Sequence, residues 1–135
     1  MVLLAERPEQ SAQRCLTRQT VELQPAQTRD ERAFEICERL IDIVAAVYGV
    51  SGREIREPGR SNISVCRVRQ IGMYVAHVTF RLKMRQVGDG FGRDRTTVMH
   101  ACHIVEDLRD DADFDCSVAM VERVALAVLL DGGRV

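Results

Sequence analysis

Five consecutive side chains, Arg93-Asp94-Arg95-Thr96-Thr97, follow a Gly90-Phe91-Gly92 stretch and have the chemistry to read base edges. Arginine forks to guanine, aspartate accepts from cytosine, and threonine offers a hydroxyl to a base or a methyl to thymine. If Asp94 caps a helix, its first amides also suit a phosphate. A second cluster, His100-Ala101-Cys102-His103, has soft metal ligands. Positions i and i+3 on one helix supply only two of the four ligands a zinc site needs, and no second pair lies nearby. The expectation is a packed His100 and an exposed His103. Cys102 and His103 are adjacent and point apart on a helix, so no nucleophilic pair forms. No metal, cofactor or catalysis is expected.

These side chains need helices to hold them. Thr28-x-x-Glu31 fits a capping box, and Ala33, Cys37, Leu40, Ile41, Val44 and Val47 then recur at helical spacing up to Gly49. Ser51-x-x-Glu54 opens a short turn that Pro58-Gly59 ends. A helix over about 65–79 places Val68, Ile71, Gly72, Val75 and Val78 on one face, with Arg67, Gln70, Met73 and His77 opposite. A short helix over about 83–91 buries Met84, Val87 and Phe91, and Gly90-Phe91-Gly92 turns the chain. Asp94 caps a longer helix to about Arg109, with Thr97, Val98, Ala101, Ile104, Val105 and Leu108 inward. The acidic run Asp110, Asp111, Asp113, Asp115 breaks it. A last helix over about 116–130 is apolar nearly all round, which points to burial or self-association. No strand-like alternation stands out. The expected fold is all-α, a small helical bundle containing a helix-turn-helix, with an extra C-terminal apolar helix.

Composition narrows the function classes. The 135 residues suffice for one domain, and 46% hydrophobic with 4% aromatic requires an aliphatic core. The longest apolar run, 124–130, is far below the roughly 20 residues of a membrane span. Five cysteines without C-x-x-C spacing read as reduced thiols, and no signal peptide is evident, so a cytoplasmic, nucleoid-associated protein is expected. Net charge is −1, yet unevenly spread. Residues 1–52 hold 6 basic and 8 acidic groups, 53–109 hold 11 and 6, and 110–135 hold 2 and 6. A basic middle between acidic flanks suits a polyanion contact confined to one segment.

Two blocks sharpen this. Arg69-Gln70-Ile71-Gly72-Met73-Tyr74 and Val87-Gly88-Asp89-Gly90-Phe91-Gly92-Arg93-Asp94-Arg95-Thr96-Thr97-Val98-Met99-His100-Ala101 resemble the C-terminal DNA-binding domain (domain IV) of the bacterial replication initiator DnaA. The family pattern there runs RQIAMYL, then IG..FG.RDHTTV.HA. The resemblance covers about residues 30–109. No G-x-x-x-x-G-K-[ST] accompanies it, so a stand-alone relative without the ATPase module is expected. The resemblance implies base readout in the major groove by Asp94, Arg95 and Thr96, with Thr97 and Arg93 beside them. Arg95 stands where the family has His. It also implies backbone contacts by Gln70 and His77, and a basic loop before Arg69 in which Arg60 is the minor-groove candidate. Arg67 and Arg69 are expected on phosphates, as are Lys83 and Arg85, which replace a Ser-Leu-Pro-like stretch.

The resulting expectation is sequence-specific binding of double-stranded DNA by an initiator-type helix-turn-helix, in control of replication initiation or transcription. The alternative is a DnaA-related protein-interaction module that modulates the initiator or its inactivating regulator without strong DNA binding. Replication-initiation proteins are candidate partners, as is a second copy through the last helix. The expected organisation is a flexible tail over 1–27, the helix-turn-helix domain over 28–109, and an acidic linker plus helix over 110–135.

Overall fold

A computed structural model describes residues 27–59 and 62–131. The expected tail (save residue 27) and Arg60 lie outside the described residues. The chain forms α1 (Arg29–Tyr48), α2 (Gly52–Arg56), α3 (Ile63–Val78), α4 (Met84–Phe91), α5 (Arg95–Leu108) and α6 (Ala112–Leu126). A π-helical turn, Ala127–Asp131, continues α6. No strand occurs among the described residues, and the fold is an all-α bundle.

Local chemistry sets most helix ends. The Thr28 hydroxyl accepts the Glu31 amide at 3.1 Å, and Gly49 closes α1 in the left-handed region at φ 68°. Ser51 caps α2 through the Arg53 amide. Asn62 Oδ1 accepts the Val65 amide at 2.9 Å, so α3 starts at Ile63, two residues before the apolar period suggests. At the other end of the bundle, the acidic run is not a break. Asp111 accepts the Phe114 amide at 2.9 Å, and Asp113 and Asp115 sit in the first turn of α6. Carboxylates there meet the positive end of the helix dipole, so α6 begins at Ala112 rather than near Cys116.

The core gathers Leu40, Ile41 and Val44 of α1 and Val65, Val68, Ile71, Met73, Tyr74 and Val75 of α3. Val87 and Phe91 of α4, Val98, Ala101 and Val105 of α5, and Val118, Val121 and Ala125 of α6 complete it. Helix α3 packs chiefly against α5 and α1, with α4 and α6 also touching it. A helix with neighbours on so many sides keeps only a narrow polar edge, at Arg67, Gln70 and His77, which is why Met73, expected outward, is buried. Val78, expected inward, is exposed at its end. Helix α6 is likewise two-sided: Met120, Val124 and Leu126 remain exposed, as do Val128 and Leu130 beyond it.

Ion pairing fastens α6 to the rest. Arg109 donates to Asp115, to Glu122 at 3.1 Å and to the Tyr74 hydroxyl at 3.3 Å. Tyr74 in turn donates to Glu106 at 2.7 Å. Burial disfavours the charge on Arg109, but Asp115, Tyr74 and Glu122 outweigh it and hold the guanidinium protonated. Thr79 adds a hydrogen bond to Glu122 at 2.7 Å, and Tyr48 one to Ser117.

Glycines fix how closely α4 approaches its neighbours. Gly90, expected in a turn, lies inside α4, and a Cβ there would stand 2.3 Å from Cys37 Cβ. Burial in that contact pushes the Cys37 thiol up to about 12. Gly72 meets the Phe91 ring in the same way, 3.0 Å from an added Cβ. Gly92 alone makes the turn, at φ 68°. Overpacking of this kind costs about 1–3 kcal/mol. Gly90→Ala should therefore lose at least that much stability in urea unfolding, and a loss within a few tenths would show that α1 and α4 are not closely packed here.

Candidate nucleic-acid interface

The turn from α4 into α5 is built from two backbone devices. The Arg93 amide donates to the Gly88 carbonyl at 2.9 Å, ending α4. A Cβ on Gly88 would come within 2.5 Å of the Arg93 carbonyl, so the chain passes tightly over that glycine. Asp94 then caps α5, its carboxylate accepting the Thr97 amide at 2.7 Å. Hydrogen bonds from the Thr97 amide and hydroxyl, then from the Thr96 amide, hold the Asp94 carboxyl below the usual carboxylate range.

Past the cap, Arg95, Thr96 and Thr97 are exposed, whereas Val98 is buried. Thr97 was expected inward, but the inner face of α5 is Val98, Ala101, Cys102 and Val105. The outer face carries Thr96, Met99, His100 and His103 at i, i+3, i+4 and i+7. His100 is thus exposed, not packed. Among the described residues, no three His, Cys, Asp or Glu side chains group as metal ligands would. Arg95 makes no hydrogen bond or ion pair among the described residues. Its fork is available.

Other expected contacts are placed differently. Arg69 does not face solvent: it is 5% exposed, with Nε donating to the Ile55 carbonyl at 2.8 Å and a terminal nitrogen to Glu54 at 3.1 Å. The physical reason is α2, a five-residue helix whose last carbonyls lack intrahelical partners and attract a cation. Burial lowers the Arg69 pKa, and nearby Arg93 acts in the same direction. Arg93 is half-buried and bonds the carbonyls of Glu57 at 2.7 Å and Gly92 at 3.1 Å. In this structure backbone carbonyls engage both guanidinia.

Arg67 and Gln70 are joined on one edge of α3, with the guanidinium donating to Gln70 Oε1 at 3.1 Å. His77 Nδ1 lies 2.8 Å from the Leu82 carbonyl. A carbonyl only accepts, so that nitrogen carries the proton and Nε2 is the one left for a ligand. Lys83 and Arg85 sit at the start of α4, about 12 Å along the helix from its turn with α5. Arg85 is exposed and paired with Asp30 at 3.2 Å and Asp89 at 3.5 Å. Gln86 and Arg85 together hold the Asp30 carboxyl low. Ile63 went unremarked in the sequence, yet it is 85% exposed at the first residue of α3. The signal was present: the period that buries Val65 and Val68 turns position 63 outward.

A short helix, a glycine turn and a longer helix with an exposed first turn, set in an all-α bundle, define a helix-turn-helix protein. Comparison with known proteins agrees. The profile of the bacterial dnaA protein helix-turn-helix matches residues 37–105. The chromosomal replication initiator protein DnaA of Pseudothermotoga lettingae is 33% identical over 91 residues, which is 67% of this chain and 20% of that protein. A crystal structure described as a DNA replication initiation factor matches with a TM-score of 0.64 and 27% identity, over 72% of this chain and 30% of that one. The chain belongs to the bacterial dnaA helix-turn-helix family. It spans about a fifth of the length of that curated relative. No helix among the described residues is long and apolar enough to cross a membrane.

The Asp94 cap carries a pH dependence. Its carboxyl is lowered from 3.8 in the folded chain, so its contribution is full above that value and is lost as pH falls through the folded value. Asparagine caps as well but does not titrate in this range. Below about pH 4, the parent should therefore lose thermal stability more steeply than Asp94→Asn. Parallel melting curves for the two would mean the cap is not charged.

Proposed function

We propose that this chain binds double-stranded DNA with sequence preference through the first turn of α5, in control of replication initiation or transcription on the nucleoid. The observation that carries this reading is the exposed Arg95-Thr96-Thr97 turn behind a charged cap, in a member of a helix-turn-helix family. In such motifs the second helix enters the major groove and its N-terminal residues meet base edges. Arg95 is the forked donor for guanine, and Thr96 is its neighbour. Thr97 is within reach of the groove, although its hydroxyl serves the Asp94 cap.

Arg67, Gln70, His77 and Lys83 are assigned to phosphates, where they position the protein without reading sequence. Arg60 belongs to the same proposal from its sequence position. Arg85 joins them by exchanging Asp30 for a phosphate, an inexpensive step because exposed ion pairs contribute little. The names of the matched proteins support a role around replication initiation, which is itself part of the proposal.

One observation favours an additional surface. Helix α6 and its continuation expose Met120, Val124, Leu126, Val128 and Leu130, apolar surface that suits a second copy or a replication-initiation protein. If DNA binding fails, this face supports the protein-interaction reading. Sedimentation across a concentration series separates the copy from a foreign partner.

Fluorescence anisotropy on an initiator-box duplex, a box-free duplex and a random mixture, each at several salt concentrations, tests the main reading. Binding should weaken steeply with salt, because phosphate contacts release counterions. Arg95→Ala should cost about 1–3 kcal/mol and relax preference at one base position. An Arg95→Ala variant that binds every duplex as the parent does would remove Arg95 from readout. Absence of binding even at low salt would send the function to the apolar face of α6.

A further inference from the structure

Two guanidinia converge on the end of α2 from different parts of the chain. Arg69 reaches up from α3 to the carbonyls of Glu54 and Ile55. Arg93 reaches across from the turn between α4 and α5 to the carbonyl of Glu57, at 2.7 Å. Its other terminal nitrogen holds the carbonyls of Gly92, at 3.1 Å, and Phe91, at 3.4 Å. Two like charges side by side repel unless acceptors bracket them. Here the unpartnered carbonyls at the end of a short helix do so. Among the described residues, no other side-chain hydrogen bond joins the turn Gly92–Asp94 to residues 52–59.

The location of this tie gives it consequence. Arg93 immediately precedes the cap of α5, and Arg95 is the first residue of that helix. The body of α5 is packed on α3 through Val98, Ala101 and Val105, so the Arg93 tie bears on how its exposed first turn is held. Backbone contacts hold the turn to α4, through the Arg93 amide on the Gly88 carbonyl at 2.9 Å, and the Arg93 side chain ties it to the end of α2.

We propose that Arg93 is a positioning residue for DNA recognition: its fork ties the turn before α5 to the Glu57 carbonyl at the end of α2, and so sets which base edges Arg95 and Thr96 reach. This rests on the DNA-binding reading above. Arg93 acts through the geometry of α5 and touches no base. Arginine suits the role because its planar fork engages carbonyls on two segments at once, which a point-like ammonium does not reproduce.

The test compares Arg93→Lys with Arg93→Ala, using the same duplexes and amide hydrogen exchange of the free protein. A phosphate contact depends on charge, so lysine would restore affinity and alanine would reduce the salt slope by about one. A positioning fork behaves otherwise. Both variants should weaken binding to the preferred duplex roughly 5- to 150-fold, the range of one bidentate base contact. Their salt slopes should match the parent, and their preference among duplexes should broaden. In the free protein, exchange at Val98 and Met99, whose helical hydrogen bonds anchor the first turn of α5, should quicken in both variants while exchange in the middle of α3 does not. Parental affinity and preference in Arg93→Lys would overturn the proposal, as would unchanged exchange in the first turn of α5 in Arg93→Ala. The exchange readout needs no DNA, so failure of the DNA-binding reading is seen separately as absence of parental binding. If Arg93→Ala does not fold, Arg93→Lys alone decides through the same two readouts.

Discussion

The closeness of α4 to α1 is the constraint on which the rest of this molecule depends. At Gly90 the two helices approach until a single Cβ would sit 2.3 Å from that of Cys37. That approach seats Phe91 against Gly72 of α3 and buries Val87 beside it. Gly92, at φ 68°, turns the chain out of α4, and α5 packs back against α3 and α4. Interiors packed to this density transmit position rather than absorb it. The exposed first turn of α5 is thus placed by the packing of α4 and α5 on α3 together with the Arg93 tie to Glu57.

Electrostatics divides the arginines of the central segment into two kinds. Arg69 and Arg93 are spent on backbone carbonyls at the end of α2, and Arg109 on carboxylates that bind α6. Arg95 is exposed and uncommitted among the described residues, and Arg85 is exposed with exchangeable carboxylate partners. The excess positive charge of residues 53–109 is therefore not all surface charge. Part of it is structural glue, and the part that can reach a polyanion is smaller than the count of arginines suggests.

How much of this can be read from sequence follows from how local each interaction is. The caps at Thr28, Ser51, Asn62, Asp94 and Asp111 are made within three residues, and five of the six helices were placed close to their observed ranges by caps and apolar period. The sixth starts four residues earlier than expected because a cluster of aspartates reads as a break, yet also serves as cap and first turn of α6. Met73 failed for a different reason: periodicity tells which face is apolar, not how many neighbours a helix has. Of the candidate site, the exposed Arg95 and Thr96 at the start of α5 were legible from the Asp94 cap, whereas Thr97 was expected inward. The roles of Arg69 and Arg93 were not legible, since they answer to carbonyls at the end of α2 that lie 14, 15 and 36 residues away. Nothing in a string of letters marks which arginine will find an orphaned carbonyl.

The measurement that tests the central claim most directly is an NMR titration of the labelled chain with a short duplex, followed amide by amide. The account predicts that Asp94 to His100 shift first and most, with Arg67 and Gln70 following and the outer face of α6 unmoved. Shifts concentrated at Met120, Val124 and Leu126, with the first turn of α5 silent, would contradict it and make α6 the working surface of this protein.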